Sequence, residues 1–225
     1  MRKRFDEELR AMHAELVDIL ATVSANVRTS VAALIDGDFE AAEGVIATQD
    51  PMDERCVVLE EHVLEMMAMQ APVARDLRLL QSAAYISNHL TRMTKLTVNI
   101  AKSVCDTAGQ RGPQTLYDLI QAEGSLVFRV LDTTLEALEN RDTELAGKLA
   151  ELDEPIDELY KEYFVELAHV HDMDHIEWVS QVVLAGRHLE RIADNAVDIG
   201  ARIVYIVNGR RDERVARGEI PSAGQ

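Results

Sequence analysis

Five acidic residues in the second half of the chain have types and spacings that could bind a metal ion. Glu190, Asp194 and Asp198 recur at every fourth position, so on an α-helix they lie within about 80° of one another and form one stripe. Asp153 and Asp157 are also four residues apart, at the predicted start of a helix that packs beside the first. Hard divalent and trivalent cations prefer carboxylate oxygens, which makes this set a candidate site for iron, manganese or magnesium.

A surface ladder of opposite charges is the alternative explanation of the acidic stripe. Arg187, Arg191 and Arg202 lie three or four residues from its members on the same helix, where acid and base stabilise each other. Helix capping and the helix dipole would equally explain Asp153 and Asp157 at a helix start. The sequence leaves both explanations open.

The first half of the chain has a weaker version of this arrangement. Asp53 is the only carboxylate at the five equivalent positions; the other four are Gln49, Thr91, Lys95 and Asn99. Lys95 stands where the second half has Asp194, so its ammonium is expected to pair with Asp53. We therefore expect any metal to be confined to the second half.

Long helices must position both sets of residues. Apolar residues between Phe5 and Val27 follow one another at steps of three and four, which predicts a helix of about 48 Å from Lys3 to Ile35. The last helix is predicted from Ile176 to Asn208 in the same way. Its apolar residues centre on the side opposite Glu190, so the acidic stripe is expected to face away from the core.

The two halves of the sequence repeat each other at an offset of 104 residues. Asp38 matches Asp142, and the pairs Asp50-Pro51 and Glu154-Pro155 each predict an N-cap followed by proline in the first helical position. This repeat predicts an all-α fold with two tandem three-helix bundles. The expected domains are residues 1–108, residues 113–208 and a polar, disordered tail, 209–225.

Composition agrees with a helical fold and excludes several functions. Only 11 glycines and 5 prolines occur in 225 residues, fewer than a many-stranded fold would need. A net charge of −17 argues against a nucleic-acid surface. Cys56 and Cys105 have neither disulfide nor zinc spacing, and the sequence has no signal peptide and no uncharged span of 18 apolar residues. These features predict a cytoplasmic protein.

No motif in the chain predicts catalysis. Phosphate-binding and nucleophile motifs are absent, and the histidine-rich stretch from His169 to His175 is expected to be a polar turn. Glu166 and His169 form a single Glu-x-x-His, whereas a di-iron bundle needs that motif on two helices with further inward acids. A metal-carboxylate oxidoreductase of the ferritin-like type is therefore the less favoured alternative to a protein without enzymatic activity.

Three stretches of the sequence resemble the PhoU family, the accessory regulators of bacterial phosphate uptake. They are MQAPVARDLR (Met69 to Arg78), the duplicated Asp/Glu-Pro-x-x-Asp-Glu starts at Asp50 and Glu154, and HLERIADNAVDIG (His188 to Gly200). The resemblance covers both repeats, from about Met1 to Asn208.

The resemblance implies both a fold and a function. Family members are tandem three-helix bundles, and some carry metal clusters on an outer face through repeated [Glu/Asp]-x-x-x-Asp motifs. It further implies a regulator that restrains the phosphate-starvation response by bridging the ATPase subunit of the phosphate transporter and a sensor histidine kinase. A homodimer is expected, with membrane contact only through these partners and no nucleic acid. The matching motifs here are Asp153 to Asp157, Glu190 to Asp194 and Asp194 to Asp198.

Overall fold

The protein is folded entirely from α-helices in the part of the chain that the structure, a computed structural model, describes: residues 2–70, 72–107, 110–169 and 176–210. No strand occurs in these ranges, which confirms the predicted all-α class. The helices are α1 (Arg2–Asp36), α2 (Phe39–Ile46), α3 (Gln49–Gln70), α4 (Ala74–Asp106), α5 (Gln114–Asn140), α6 (Thr143–Gly147), α7 (Leu149–His169) and α8 (Ile176–Asn208).

The two halves are similar three-helix bundles, each with a short extra helix. In the first, α3 packs on α1 and α4 while α2 lies against α1 and α4; in the second, α7 packs on α5 and α8 while α6 lies against α5 and α8. The most extensive contact between helices joins the halves, because α4 lies along α8 and α1 lies along α5. Buried apolar residues of both halves therefore form one continuous core.

Apolar periodicity sets the bounds of the long helices. Helix α8 begins and ends where the sequence predicts, and α1 extends one residue beyond the predicted range at each end. Phe5, Leu9 and Met12 begin a stripe along α1 that is at most 8% exposed through Val27. Burial of such a stripe, rather than the intrinsic helix propensity of its residues, supplies most of the stability of a helix.

Matching N-caps begin the two short helices. A carboxylate oxygen of Asp38 accepts a hydrogen bond from the backbone N–H of Ala41 at 3.0 Å. Asp142 does the same in the second half, accepting from the N–H groups of Glu144 and Leu145 at 2.8 and 3.1 Å. These caps satisfy backbone donors that have no acceptor within the helix.

The predicted helix start at Glu154-Pro155 is wrong. Helix α7 begins at Leu149, and Pro155 lies inside it. Leu149 is fully buried, so packing of this side chain extends the helix past the expected cap. The proline removes one backbone hydrogen bond there. The predicted start at Asp50-Pro51 is also displaced, because α3 begins at Gln49 and Asp50 lies inside it. Pro51 is still in the first turn, where the missing N–H costs nothing.

Helix α1 also has the length and composition of a helix that could span a membrane. It is the single helix within the described ranges that is long and apolar enough to cross a membrane on length and composition alone. Half of its apolar window is buried against other helices, as in a core helix. Residues 170–175 of the predicted polar turn and 211–225 of the predicted tail lie outside the described ranges.

Candidate functional site

Helices α7 and α8 bring the five predicted acids to one outer face of the second bundle. Helix α7 contributes Asp153 and Asp157, and α8 contributes Glu190, Asp194 and Asp198. The buried residues of α8 lie on its other side, so the stripe faces away from the core as expected. We call this set the acidic face.

All five residues interact electrostatically, since the charge of Asp198 also raises the pKa of Asp194. The pKa of Asp153 is raised to about 7, first by burial and then by the negative charges of Asp194, Asp157 and Glu190. The pKa of Asp194 is raised by burial first and then by Asp157. Glu190 responds in the same way, since burial raises its pKa most strongly and neighbouring acids add to the shift. The negative charges of the acidic face are thus close enough to raise one another's pKa values.

Within the described residues, arginine forms an ion pair at only one end of the acidic face. Arg187 donates a hydrogen bond to Glu190 and lies 5.7 Å from the centre of the Tyr160 ring. Arg202, which the sequence would pair with Asp198, instead lies over the Tyr85 ring at 3.4 Å from its centre. The charge-ladder explanation therefore accounts for Glu190 and in part for Asp194, whose pKa the charges of Arg187 and Arg191 lower. Neither Asp153 nor Asp194 forms an ion pair within the described residues.

Asp198 lies at the other end of the stripe, beside the contact between the two bundles. Its Oδ2 is 3.9 Å from Nδ1 of His89 on α4. The same His89 nitrogen donates to Asn195 Oδ1 at 2.7 Å, and burial lowers the pKa of the imidazole. His89 was not anticipated, because nothing in the sequence shows that α4 lies along α8.

The acidic face has the right atoms for a hard cation, although they are not assembled around one point. No group of three or more His, Cys, Asp or Glu side chains within the described ranges is close enough to hold a metal ion as it stands. Asp153 Oδ1 is nevertheless buried without a hydrogen-bond partner, and its neighbours are carboxylates. An oxygen-preferring cation is the kind of ligand that would satisfy this donor set.

The first bundle has an ion pair at the equivalent position. Lys95 Nζ on α4 lies 3.8 Å from Asp53 Oδ2 on α3, which confirms the predicted pairing. Asp53 Oδ1 is buried and has no hydrogen-bond partner. Lys95 thus places a positive charge in the first bundle at the position where the second bundle has the carboxylate of Asp194.

A buried acid lies behind the acidic face and was missed by the sequence analysis. Glu123 on α5 is 0% exposed, and its Oε2 accepts a hydrogen bond from the Tyr163 hydroxyl at 2.7 Å. Its pKa is raised to about 8, mainly by burial and also by the charge of Glu190, although the Tyr163 hydrogen bond lowers it, so Glu123 is largely protonated at neutral pH. The available signal was its place in an apolar stripe between Ile120 and Val127.

Gly186 makes room for this buried pair. A Cβ atom there would lie 3.0 Å from Glu123 Oε2 and 3.0 Å from two atoms of the Tyr163 ring. Any larger residue would push α8 away from α5 and α7, so the glycine sets how closely these helices approach.

The sequence and fold are similar to proteins described as PhoU. The PhoU domain matches residues 5–104 and 120–203, once in each half. The phosphate-specific transport system accessory protein PhoU homolog of Clostridium acetobutylicum is 27% identical over 213 residues, covering 93% of this chain and 97% of that protein.

Two crystal structures share the whole architecture. PhoU from Pseudomonas aeruginosa has a TM-score of 0.85 and 27% identity, covering 92% of this chain and 100% of that one. The phosphate transport system regulatory protein PhoU from Streptococcus pneumoniae has a TM-score of 0.82 and 26% identity, covering 92% and 99%. With both repeats matched and the fold shared over nearly its full length, the chain belongs to the PhoU family.

Proposed function

We propose that this protein is a non-enzymatic regulator of phosphate homeostasis that restrains phosphate uptake and the phosphate-starvation response. The observation that carries the proposal is the match of both halves to the PhoU domain. It is supported by relatives of nearly equal length that are described as accessory or regulatory proteins of phosphate transport.

The regulator would act by bridging the ATPase subunit of a phosphate transporter and a sensor histidine kinase. Two similar bundles joined through one core offer two related docking platforms held in a fixed arrangement. The net charge of −17 repels an anionic leaflet, so a cytoplasmic protein of this kind would reach the membrane through its partners. A homodimer would double each platform.

The acidic face would hold a metal ion with a structural role. Asp153, Asp157, Glu190, Asp194 and Asp198 supply oxygen ligands suited to iron, manganese or magnesium. A bound cation would supply positive charge where Lys95 already supplies it in the first bundle. The ferritin-like oxidoreductase is disfavoured because the stripe lies outside the bundle, whereas such sites project their acids inward.

Deletion of the gene tests the regulatory role. Expression of a phosphate-starvation reporter in high phosphate should become constitutive and should return to the repressed level when the wild-type gene is restored. Unchanged expression in a strain that carries no second copy of the gene would overturn the proposal.

Affinity purification tests the bridging role separately. A tagged chain, recovered under gentle conditions from phosphate-replete and phosphate-starved cells, should carry the transporter ATPase and the sensor kinase with it. Recovery of neither protein in either condition would contradict bridging while leaving the regulatory role to the reporter assay.

A further inference from the structure

Three arginines at one end of the molecule have no acidic partner among the residues that the structure describes. Arg75 and Arg78 lie in the first turns of α4, and Arg141 is the C-cap of α5. Within the described ranges, no carboxylate oxygen lies within 4 Å of their guanidinium groups, the limit for an ion pair. Seven other arginine or lysine residues form such pairs: Arg4, Arg28, Arg55, Lys95, Lys148, Lys161 and Arg187. We call these three residues the arginine corner.

The ends of three helices bring the arginine corner together. Helices α4 and α8 run in opposite directions, so the start of α4 meets the end of α8, where Arg78 Cζ lies 3.2 Å from the place a Cβ of Gly209 would occupy. Arg75 is one turn from Arg78 and therefore lies on nearly the same face of α4. Arg141 follows the last turn of α5, which packs on α8.

Repulsion between two of these side chains shows how concentrated the positive charge is. The pKa of Arg141 is lowered by burial and then by the positive charge of Arg75. Arg78 Nε is buried and has no hydrogen-bond partner. Other arginines of the chain also lack an ion pair within the described residues, but these three lie beside one another and concentrate positive charge in a chain whose net charge is −17.

The groups around the corner do not neutralise it. On α1, His13 Nε2 donates to the backbone oxygen of Glu139 at 3.3 Å, and the pKa of His13 is lowered by burial and then by Arg141. The Glu139 carboxylate acts on His13 in the opposite sense but is not within ion-pair distance of Arg141. Asp142 is occupied as the N-cap of α6.

One alternative is that these arginines brace helix ends, meaning that their positive charges stabilise the helix dipoles, but this explains them only in part. A cation beside the last turn of α5 or α8 interacts favourably with the helix dipole, which would suit Arg141 and Arg78. Arg75 is in the first turn of α4, where the dipole disfavours a cation, and the N-cap residue Val73 offers no capping side chain. An anion bound at the arginine corner would make a positive charge favourable at all three positions.

We propose that Arg75, Arg78 and Arg141 form a binding site for a phosphate-type oxyanion, either free inorganic phosphate or a phosphoryl group on a partner protein. Guanidinium groups donate paired hydrogen bonds to such oxygens and remain charged at every physiological pH. The unpartnered Nε of Arg78 is one available donor. The proposed site follows from the placement of the three arginines and does not depend on the regulatory role proposed above.

Calorimetry on the full-length protein tests the site directly. Inorganic phosphate, titrated at low ionic strength, should bind the wild type, and Arg75→Gln or Arg141→Gln should each weaken binding by about tenfold or more. Arg129→Gln, an exposed arginine elsewhere on α5, is the matched control and should bind as the wild type does. Arg141→Lys should recover part of the affinity because it keeps the charge.

A second titration distinguishes free inorganic phosphate from a phosphoryl group on a partner protein. A phosphoserine peptide that binds at least tenfold more tightly than phosphate, and more tightly than its unphosphorylated form, would identify a phosphorylated partner. Equal affinities for peptide and phosphate would identify the free ion. If neither ligand binds the wild type, or if the Arg75→Gln, Arg141→Gln double variant binds like the wild type, the proposal is wrong.

Thermal unfolding distinguishes binding from bracing. Phosphate should raise the melting temperature of the wild type but leave that of the double variant unchanged. If the arginines only brace helix ends, the double variant will melt lower and phosphate will shift neither protein. Unchanged reporter expression after deletion of the gene would contradict the regulatory role but would not affect phosphate binding or the melting temperature. The two proposals can therefore fail independently.

Discussion

Lys95 Nζ lies 3.8 Å from Asp53 Oδ2 in the first bundle, at the position where the second bundle has Asp194. The two bundles have similar folds but differ in charge at this position. One carries its own cation, whereas the other gathers carboxylates whose pKa values are raised by burial and by one another. Metal binding should therefore differ between the halves.

We expect a metal ion to bind only to the second bundle. Asp194→Ala should weaken binding of manganese, iron or magnesium by about tenfold or more, because it removes a carboxylate from the middle of the stripe. Asp53→Ala, at an ion pair already neutralised by Lys95, is the control and should leave affinity unchanged. Calorimetric titration of both variants checks this, and identical titrations of Asp194→Ala and the wild type would favour a purely structural role for the acids.

The stability of the metal-free protein should depend on the charge of Asp153. Its raised pKa means that the folded state holds the proton more tightly than the unfolded state, so ionisation destabilises the fold as the pH rises through about 7. After allowance for solvent screening, Asp153→Asn should raise the free energy of unfolding at pH 8 by about 0.5 to 1 kcal/mol.

Denaturant titrations at pH 5 and pH 8 measure the effect of Asp153→Asn. The gain should shrink at pH 5, where the wild-type carboxyl is itself protonated. Glu154→Gln, its exposed neighbour, is the control and should change stability little at either pH. A gain at pH 5 as large as at pH 8 would show that the repulsion is not the cause.

Glu123 should make the stability of the protein fall between pH 5 and pH 8. Its pKa is raised to about 8 from 4.5, so the folded state binds more protons than the unfolded state throughout this range. Glu123→Gln mimics the protonated acid and should remove about 2 to 4 kcal/mol of this pH dependence. Glu136→Gln, an exposed change on the same helix, should retain the wild-type slope.

Gly186 should be intolerant of even one methyl group. Gly186→Ala would place a Cβ 3.0 Å from the Tyr163 ring and the Glu123 carboxyl, and should cost about 1 to 3 kcal/mol by overpacking. Gly44→Ala on α2 meets no atom within 4 Å and should be neutral or stabilising by about 0.5 to 1 kcal/mol. Thermal unfolding of both variants would show the contrast.

Much of the fold could be predicted because the helices carry their own periodic signals. The stripe that begins at Phe5 and the one that ends at Ile203 are each buried along one side. The repeat matched Asp38 with Asp142, and the structure shows that both are N-caps. Pro155 misled the prediction because a local cap signal was outweighed by burial of Leu149, a tertiary contact.

The site was predicted less completely because its key neighbours come from other helices. Spacing along α8 indicated the acidic stripe, but it could not show Asp198 reaching His89 on α4. Nor could it show that Glu123 lies in the core with Tyr163 as its only hydrogen-bond partner within the described ranges. Such contacts depend on which helices are adjacent, which the periodicity of one helix does not encode.

The core that continues from α4 into α8 makes the two halves mutually dependent. Separated halves would each expose a long apolar face, so we expect neither to remain soluble without the other. The single shared core also joins the two bundles along the length of these helices. A rotation of one bundle would therefore also rotate the other. Partner proteins bound at the two ends of the molecule would be held at a constant distance and angle from each other.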